Sequence, residues 1–169
     1  SFIRLGKTGF GAVVDNGIID LTGKIDPDVN TIKELISLKM EERAEDYIVG
    51  KTKDLSFSDI SFLPVIPDPE KIMCIGLNYL EHKKETGRPD VDNPTISTRI
   101  ADSQVAHLQP MIKQDNSDRF DYEAEMAIII GKGGRFISED ESLNHIAGFA
   151  CYNDGSIRNY QRHTSQFTP

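Results

Sequence analysis

The sequence predicts an α+β fold that is mainly β, with a small N-terminal α/β domain ahead of a larger β-rich one. Three observations predict it. Short apolar runs closed by glycine, asparagine or proline recur along the chain, the pattern of strands and tight turns. Helical spacing of apolar side chains is confined to one stretch after Thr31 and to short segments near Leu80 and Glu139. The segment Leu63-Pro64-Val65-Ile66-Pro67-Asp68-Pro69 can continue neither a helix nor a central strand, and it divides the chain into 1–66 and 67–169.

In order, Gly11 to Thr22 reads as a hairpin about Asp15-Asn16-Gly17, because Asn-Gly favours the positive φ angles of a tight turn. Thr31 and Glu34 have capping-box spacing, and Ile32, Leu35, Ile36, Leu38 and Met40 predict one amphipathic helix to about Tyr47. No chemistry clusters in this opening part, which points to a structural role. Ile72 to Gly76 is a short apolar strand. Asn78, three residues before Glu81, marks a helix start, and Gly87-Arg88-Pro89 ends that helix. Residues 94–111 are broken and β-like. A strand from Asp121 ends at Gly131-Lys132-Gly133-Gly134-Arg135, a tight turn that lacks the spacing of a phosphate-binding loop. Glu139 to His145 predicts a short helix, and Ile146 to Tyr152 a second buried strand that delivers Asn153-Asp154-Gly155.

Composition narrows the function. The 169 residues carry a formal net charge of −8, and no Lys/Arg cluster is present to displace counterions from phosphates, so no nucleic-acid partner is expected. No apolar run approaches the roughly 20 residues that span a bilayer, and no secretory apolar region opens the chain. Cys74 and Cys151 lie inside apolar runs and read as buried free thiols of a reducing compartment. A cytoplasmic protein is expected. The first residue is Ser1 and the last is Pro169, ends that look cut or incompletely recorded.

The chemistry concentrates in Asp121-Tyr122-Glu123-Ala124-Glu125. In one continuous strand the three acids share a face, with neighbouring carboxylates roughly 6.5–7 Å apart. At an effective dielectric near 20 two such charges repel by about 2–2.5 kcal/mol. Solvent can screen that repulsion on an acidic edge, or a cation can relieve it; oxygen-only ligands favour a hard ion over zinc. His82 and Glu85, three apart, share a helix face, where the carboxylate can orient the imidazole as a base.

These pieces together resemble the fumarylacetoacetate hydrolase family, in its bacterial two-domain form. The resemblance rests on Lys71-Ile-Met-Cys-Ile-Gly-Leu-Asn-Tyr-Leu-Glu-His82, on Asp121-Tyr-Glu-Ala-Glu-Met-Ala-Ile-Ile-Ile-Gly-Lys132, and on His145-Ile-Ala-Gly-Phe149 with Asn153-Asp-Gly-Ser-Ile-Arg158-Asn-Tyr-Gln161. It implies a mixed β-sandwich roll, of which this chain holds the first part, and a homodimer. It implies that Glu123, Glu125 and Asp154 bind magnesium or manganese (Mg2+ or Mn2+), and that His82 and Glu85 form a catalytic dyad on a lid. Arg158 and Gln161 match a motif facing the substrate, Arg99 matches a basic position that can take a distal carboxylate, and Tyr79 is the nearby aromatic. Asn78-Tyr79 stands where some members have a fourth, aspartate ligand, which places this chain with the three-carboxylate members. Asp121 matches no family ligand. An active-site lysine and further strands are implied beyond Pro169.

The activity so implied is hydrolysis of a carbon–carbon bond in a small 2,4-dioxo acid such as an acylpyruvate, through a metal-stabilised pyruvate enolate. An alternative keeps the site and decarboxylates or isomerises oxaloacetate or a dioxo acid. A third reading is a structural domain in an assembly.

Overall fold

The computed structural model describes residues 1–87 and 92–164. Arg88 and Pro89, expected to end the third helix, lie outside the described residues. In chain order the strands are β1 (Phe2–Arg4), β2 (Lys7–Gly9), β3 (Gly11–Val14), β4 (Gly17–Asp20), β5 (Leu55–Ser56), β6 (Ser61–Phe62), β7 (Ile72–Gly76), β8 (Thr95–Arg99), β9 (Phe120–Asp121), β10 (Ala124–Ile130), β11 (Ile146–Asn153) and β12 (Ser156–Ile157). The helices are α1 (Ile32–Ser37), α2 (Glu41–Ile48), α3 (Leu80–Thr86) and α4 (Arg158–Gln161), with 3₁₀ turns at Phe57–Asp59, Ala101–Ser103 and Glu139–His145. The described chain is therefore mainly strands with few helices, as expected. It divides by contacts into two compact units.

The first unit gathers residues 1–67, 105–110 and 123–154. Its sheets run β2-β1-β6 and β3-β4-β5, all antiparallel. The hairpin at Asp15-Asn16 forms as predicted, but the positive φ belongs to Asp15. Gly17 has a different task. It pairs with Ser56 of β5, and a Cβ there would lie 2.3 Å from the Leu55 carbonyl oxygen, so glycine is needed for the third strand to approach. The core forms around Phe10, Ile19, Leu21, Ile25, Val29 and Ala44.

Thr31 caps α1 with the reciprocal bonds of a capping box: its hydroxyl accepts from the Glu34 amide at 3.1 Å, and Glu34 Oε2 accepts from the Thr31 amide at 2.9 Å. The single helix predicted to Tyr47 is two helices, because Lys39 turns left-handed at φ 53°. That break lets Leu35 on one side and Met40, Tyr47 and Ile48 on the other pack on the same core.

The same unit contains the β10–β11 hairpin, paired from Ala124↔Asn153 to Ile129↔Gly148 and then bulged, with Ile130 opposite Ile146. The connecting turn is closed by His145. Its carbonyl accepts from the Gly131 amide at 2.9 Å, and its buried ring meets the Lys132 carbonyl through Nδ1 at 2.7 Å. A Cβ on Gly134 would sit 2.9 Å from the His145 ring, so this glycine is explained by packing and not by phosphate binding.

The expectation of a buried strand over Ile146 to Tyr152 needs correction. Burial alternates along it and along its partner β10, and Met126 (58% exposed) and Phe149 (61% exposed) face solvent. Two strands have two faces, and among the described residues of this unit no layer covers the second. Cys151, predicted buried, is exposed for the same reason, and Cys74 is half-buried.

The second unit comprises residues 68–104 and 111–122 with the described residues from 155 onward. β7 pairs antiparallel with β8, and β9 with β12. The N-cap of α3 is Tyr79, not the predicted Asn78, and it makes no side-chain capping bond. Gly87 ends the helix in the left-handed conformation, φ 60°.

Two stability predictions follow from the first unit. Gly17→Ala forces its methyl onto the Leu55 carbonyl and should cost about 1–3 kcal/mol, read as a lowered urea midpoint. Asp54 accepts from Lys24 Nζ at 3.1 Å and from the Asp20 amide at 3.0 Å, and the Lys24 bond above all holds its carboxyl below the ordinary value of 3.8. A depressed carboxyl stabilises the fold above its unfolded pKa and loses that contribution as pH falls through the folded value. Asp54→Asn should therefore cost at most about 1 kcal/mol at pH 7, since the pair is partly exposed. The difference from wild type should disappear in urea titrations run well below the ordinary carboxyl value.

Candidate functional site

The hairpin register builds the acidic part of the site. Ala124 is opposite Asn153, and the next position outward sets Glu123 against Asp154, where the Asp154 amide donates to the Glu123 carbonyl at 2.9 Å. Asn153 adds a second tie, its Oδ1 accepting from the Glu123 amide at 2.9 Å. Glu125 follows two positions on, opposite Tyr152. Side chains two apart share a face, and directly opposed residues share it too, with Cβ atoms about 4.5–5.5 Å apart. Glu123, Glu125 and Asp154 are thus carried at one end of one hairpin, each half-buried.

Asp121 does not extend this row. The strand stops at Asp121 and resumes at Ala124, and Asp121 pairs with Ser156 in the second unit. The expectation of three acids on one strand face is thereby reduced to two, because pairing partners change within the motif.

The remaining donors are all oxygens, a set that suits magnesium or manganese better than zinc. Their chemistry suits such an ion. Among the described residues, however, no three His, Cys, Asp or Glu side chains close into a group that could hold a metal.

The second unit carries the other predicted residues. His82 and Glu85 share one face of α3, with Nδ1 and Oε2 3.7 Å apart and side chains 50% and 78% exposed. That separation exceeds a hydrogen bond. Tyr79 is exposed at the start of the same helix. Arg99, the last residue of β8, donates to the Ser156 hydroxyl at 3.2 Å. Arg158 donates from Nε to Asp121 at 2.7 Å and from a terminal nitrogen to Gln161 at 3.0 Å. Arg99, Arg158 and Gln161 are thus gathered about the β9–β12 pair.

Sequence reasoning did not single out Asn153, Ser156 or the tie of Asp121 to Arg158. Each depends on cross-strand register, and only the clustering of polar residues around Asp154 hinted at it.

The chain belongs to the fumarylacetoacetate hydrolase family: residues 71–169 match the model described as fumarylacetoacetate (FAA) hydrolase C-terminal. It is 40% identical over 107 residues to the mitochondrial oxaloacetate tautomerase fahd2 of Xenopus laevis, covering 63% of this chain and 34% of that protein. It spans about a third of the length of that relative. In fold it is similar to a fumarylacetoacetate hydrolase from Exiguobacterium antarcticum, with TM-score 0.74 and 24% identity over 99% of this chain and 58% of that one. It is also similar to a maleylpyruvate hydrolase from Sphingobium, whose structure holds manganese(II) and pyruvate, with TM-score 0.72 and 20% identity over 99% of this chain and 61% of that one. No helix among the described residues is long and apolar enough to cross a membrane.

Calorimetric titration of the full-length protein with Mn2+ tests the acidic site. Glu123→Ala and Glu125→Ala should each abolish binding. Asn153→Ala, which frees the Glu123 main chain, should weaken it by about tenfold. Wild-type affinity in both glutamate variants would remove the site.

Proposed function

We propose that the full-length protein interconverts the keto and enol forms of a 2-oxo dicarboxylic acid of the oxaloacetate type at a bound divalent cation, Mg2+ or Mn2+. The observation that carries this reading is the facing of Glu123 and Asp154 across the hairpin, with Glu125 on the same side. Such a trio would hold the cation, which stabilises negative charge on an enolate oxygen. Arg158, Gln161 and Arg99 would bind the carboxylates, with Tyr79 against the carbon skeleton. His82, held near Glu85, would take the proton from C3 and deliver it to the C2 oxygen to give the enol, and carry it back from that oxygen to C3 in the reverse direction. The identity with an oxaloacetate tautomerase supports this substrate class.

Hydrolysis of the carbon–carbon bond of a 2,4-dioxo acid such as an acylpyruvate is a second reading, favoured specifically by the His82–Glu85 pair. There His82 deprotonates a water that attacks the distal carbonyl, and the departing fragment is a pyruvate enolate. Decarboxylation of oxaloacetate passes through the same enolate without an activated water. A homodimer, a cytoplasmic location, and a division into a small N-terminal domain of 1–66 and the first part of a catalytic domain in 67–169 belong to the same proposal.

Two assays on the metal-supplemented protein distinguish the readings. Decay of enol-oxaloacetate absorbance should be accelerated by wild type and lost in Glu125→Ala. Acetylpyruvate cleavage without any effect on the enol would replace tautomerisation by hydrolysis. In that case His82→Ala should lower the cleavage rate by roughly 10²–10⁴-fold.

A further inference from the structure

We propose that the Asp121–Ser156 pair of β9 and β12 is a positioning device for two arginines, presenting Arg158 and Arg99 to the two carboxylates of a dicarboxylic substrate. This rests on the reading that both arginines bind substrate. Asp121 and Ser156 are directly opposed, so their side chains leave the ladder on the same side, with Cβ atoms about 4.5–5.5 Å apart. Each takes one guanidinium: Asp121 accepts from Arg158 Nε at 2.7 Å, and the Ser156 hydroxyl accepts from Arg99 at 3.2 Å.

The two holds differ in kind. Arg158 is fixed at three points, by Asp121, by Gln161 at 3.0 Å, and by its own amide, which donates to the Arg119 carbonyl at 2.9 Å. Two of these engage different nitrogens of one planar fork, which sets the orientation of that plane. The guanidinium side chain is 21% exposed and the aspartate 57%, so the carboxylate approaches from the wetter side. Ser156 is buried and offers Arg99 a neutral hydroxyl. The acceptor is thus an anion for Arg158 and an uncharged oxygen for Arg99. Exposed ion pairs add little to stability, which leaves orientation as the main effect of the Asp121 bond.

The test compares KM and kcat of the full-length protein for a dicarboxylate, oxaloacetate, and a monocarboxylate, acetylpyruvate, in Asp121→Asn, Asp121→Glu and Ser156→Ala. Asp121→Asn should raise KM for every substrate turned over by roughly tenfold with kcat within about twofold, and Asp121→Glu should restore part of the loss. Ser156→Ala should raise KM for oxaloacetate and leave that for acetylpyruvate unchanged. If Arg158→Lys is introduced first, Asp121→Asn should add little further. Wild-type KM values in both Asp121→Asn and Ser156→Ala, in a protein that turns substrate over, would overturn this inference alone. Additive losses with Arg158→Lys would also overturn it. A wild-type protein that turns over neither compound would overturn the functional reading and this inference with it.

Discussion

The antiparallel register of β10 with β11 is the constraint on which the acidic site depends. Ala124 opposite Asn153 sets Glu123 against Asp154 and Glu125 against Tyr152, and the Asp154 amide confirms the first of these with its bond to the Glu123 carbonyl. A slip of one residue would turn both glutamates to the other face, because side chains alternate with period two. The bulge opposite Ile130 and the His145 clamp lie at the far end of the same hairpin, where they keep the register from sliding.

Around that register the chain handles its charge economically. Carboxylates gathered on one face repel one another, and two bonds hold the main chain that carries Glu123: its amide donates to the Asn153 side-chain oxygen, and its carbonyl accepts from the Asp154 amide. In the second unit the sign is reversed. Arg99 and Arg158 meet acceptors on the two residues of a single cross-strand pair. Each unit therefore uses a strand pair, Glu123 with Asp154 in one and Asp121 with Ser156 in the other, to set the spacing of polar groups.

The opposite faces of these strands are apolar and open. Met126, Ile128, Ile130 and Phe149 on the hairpin, and Met73, Ile75 and Ile96 on β7 and β8, are exposed. Family relatives are longer than this chain, which covers 34% of the Xenopus laevis tautomerase. The open faces and the alternating burial go together, since a two-stranded pair can bury only the side on which another layer rests.

Much of the architecture was legible locally. The Asp15-Asn16 hairpin, the Thr31 capping box, the strand ending at Gly76, the short turn from Glu139 and the strand into Asn153 all follow from propensities acting over a few residues. The family, too, was legible, because its motifs are contiguous stretches. What the residues alone could not decide was pairing. The break at Lys39, the need for glycine at Gly17, the exposure of Cys151, and the departure of Asp121 from the glutamate row to Arg158 each depend on a strand or helix distant in sequence. Local preference selects the elements and the reactive groups. Cross-strand register, a long-range property set by packing, decides which of those groups stand together.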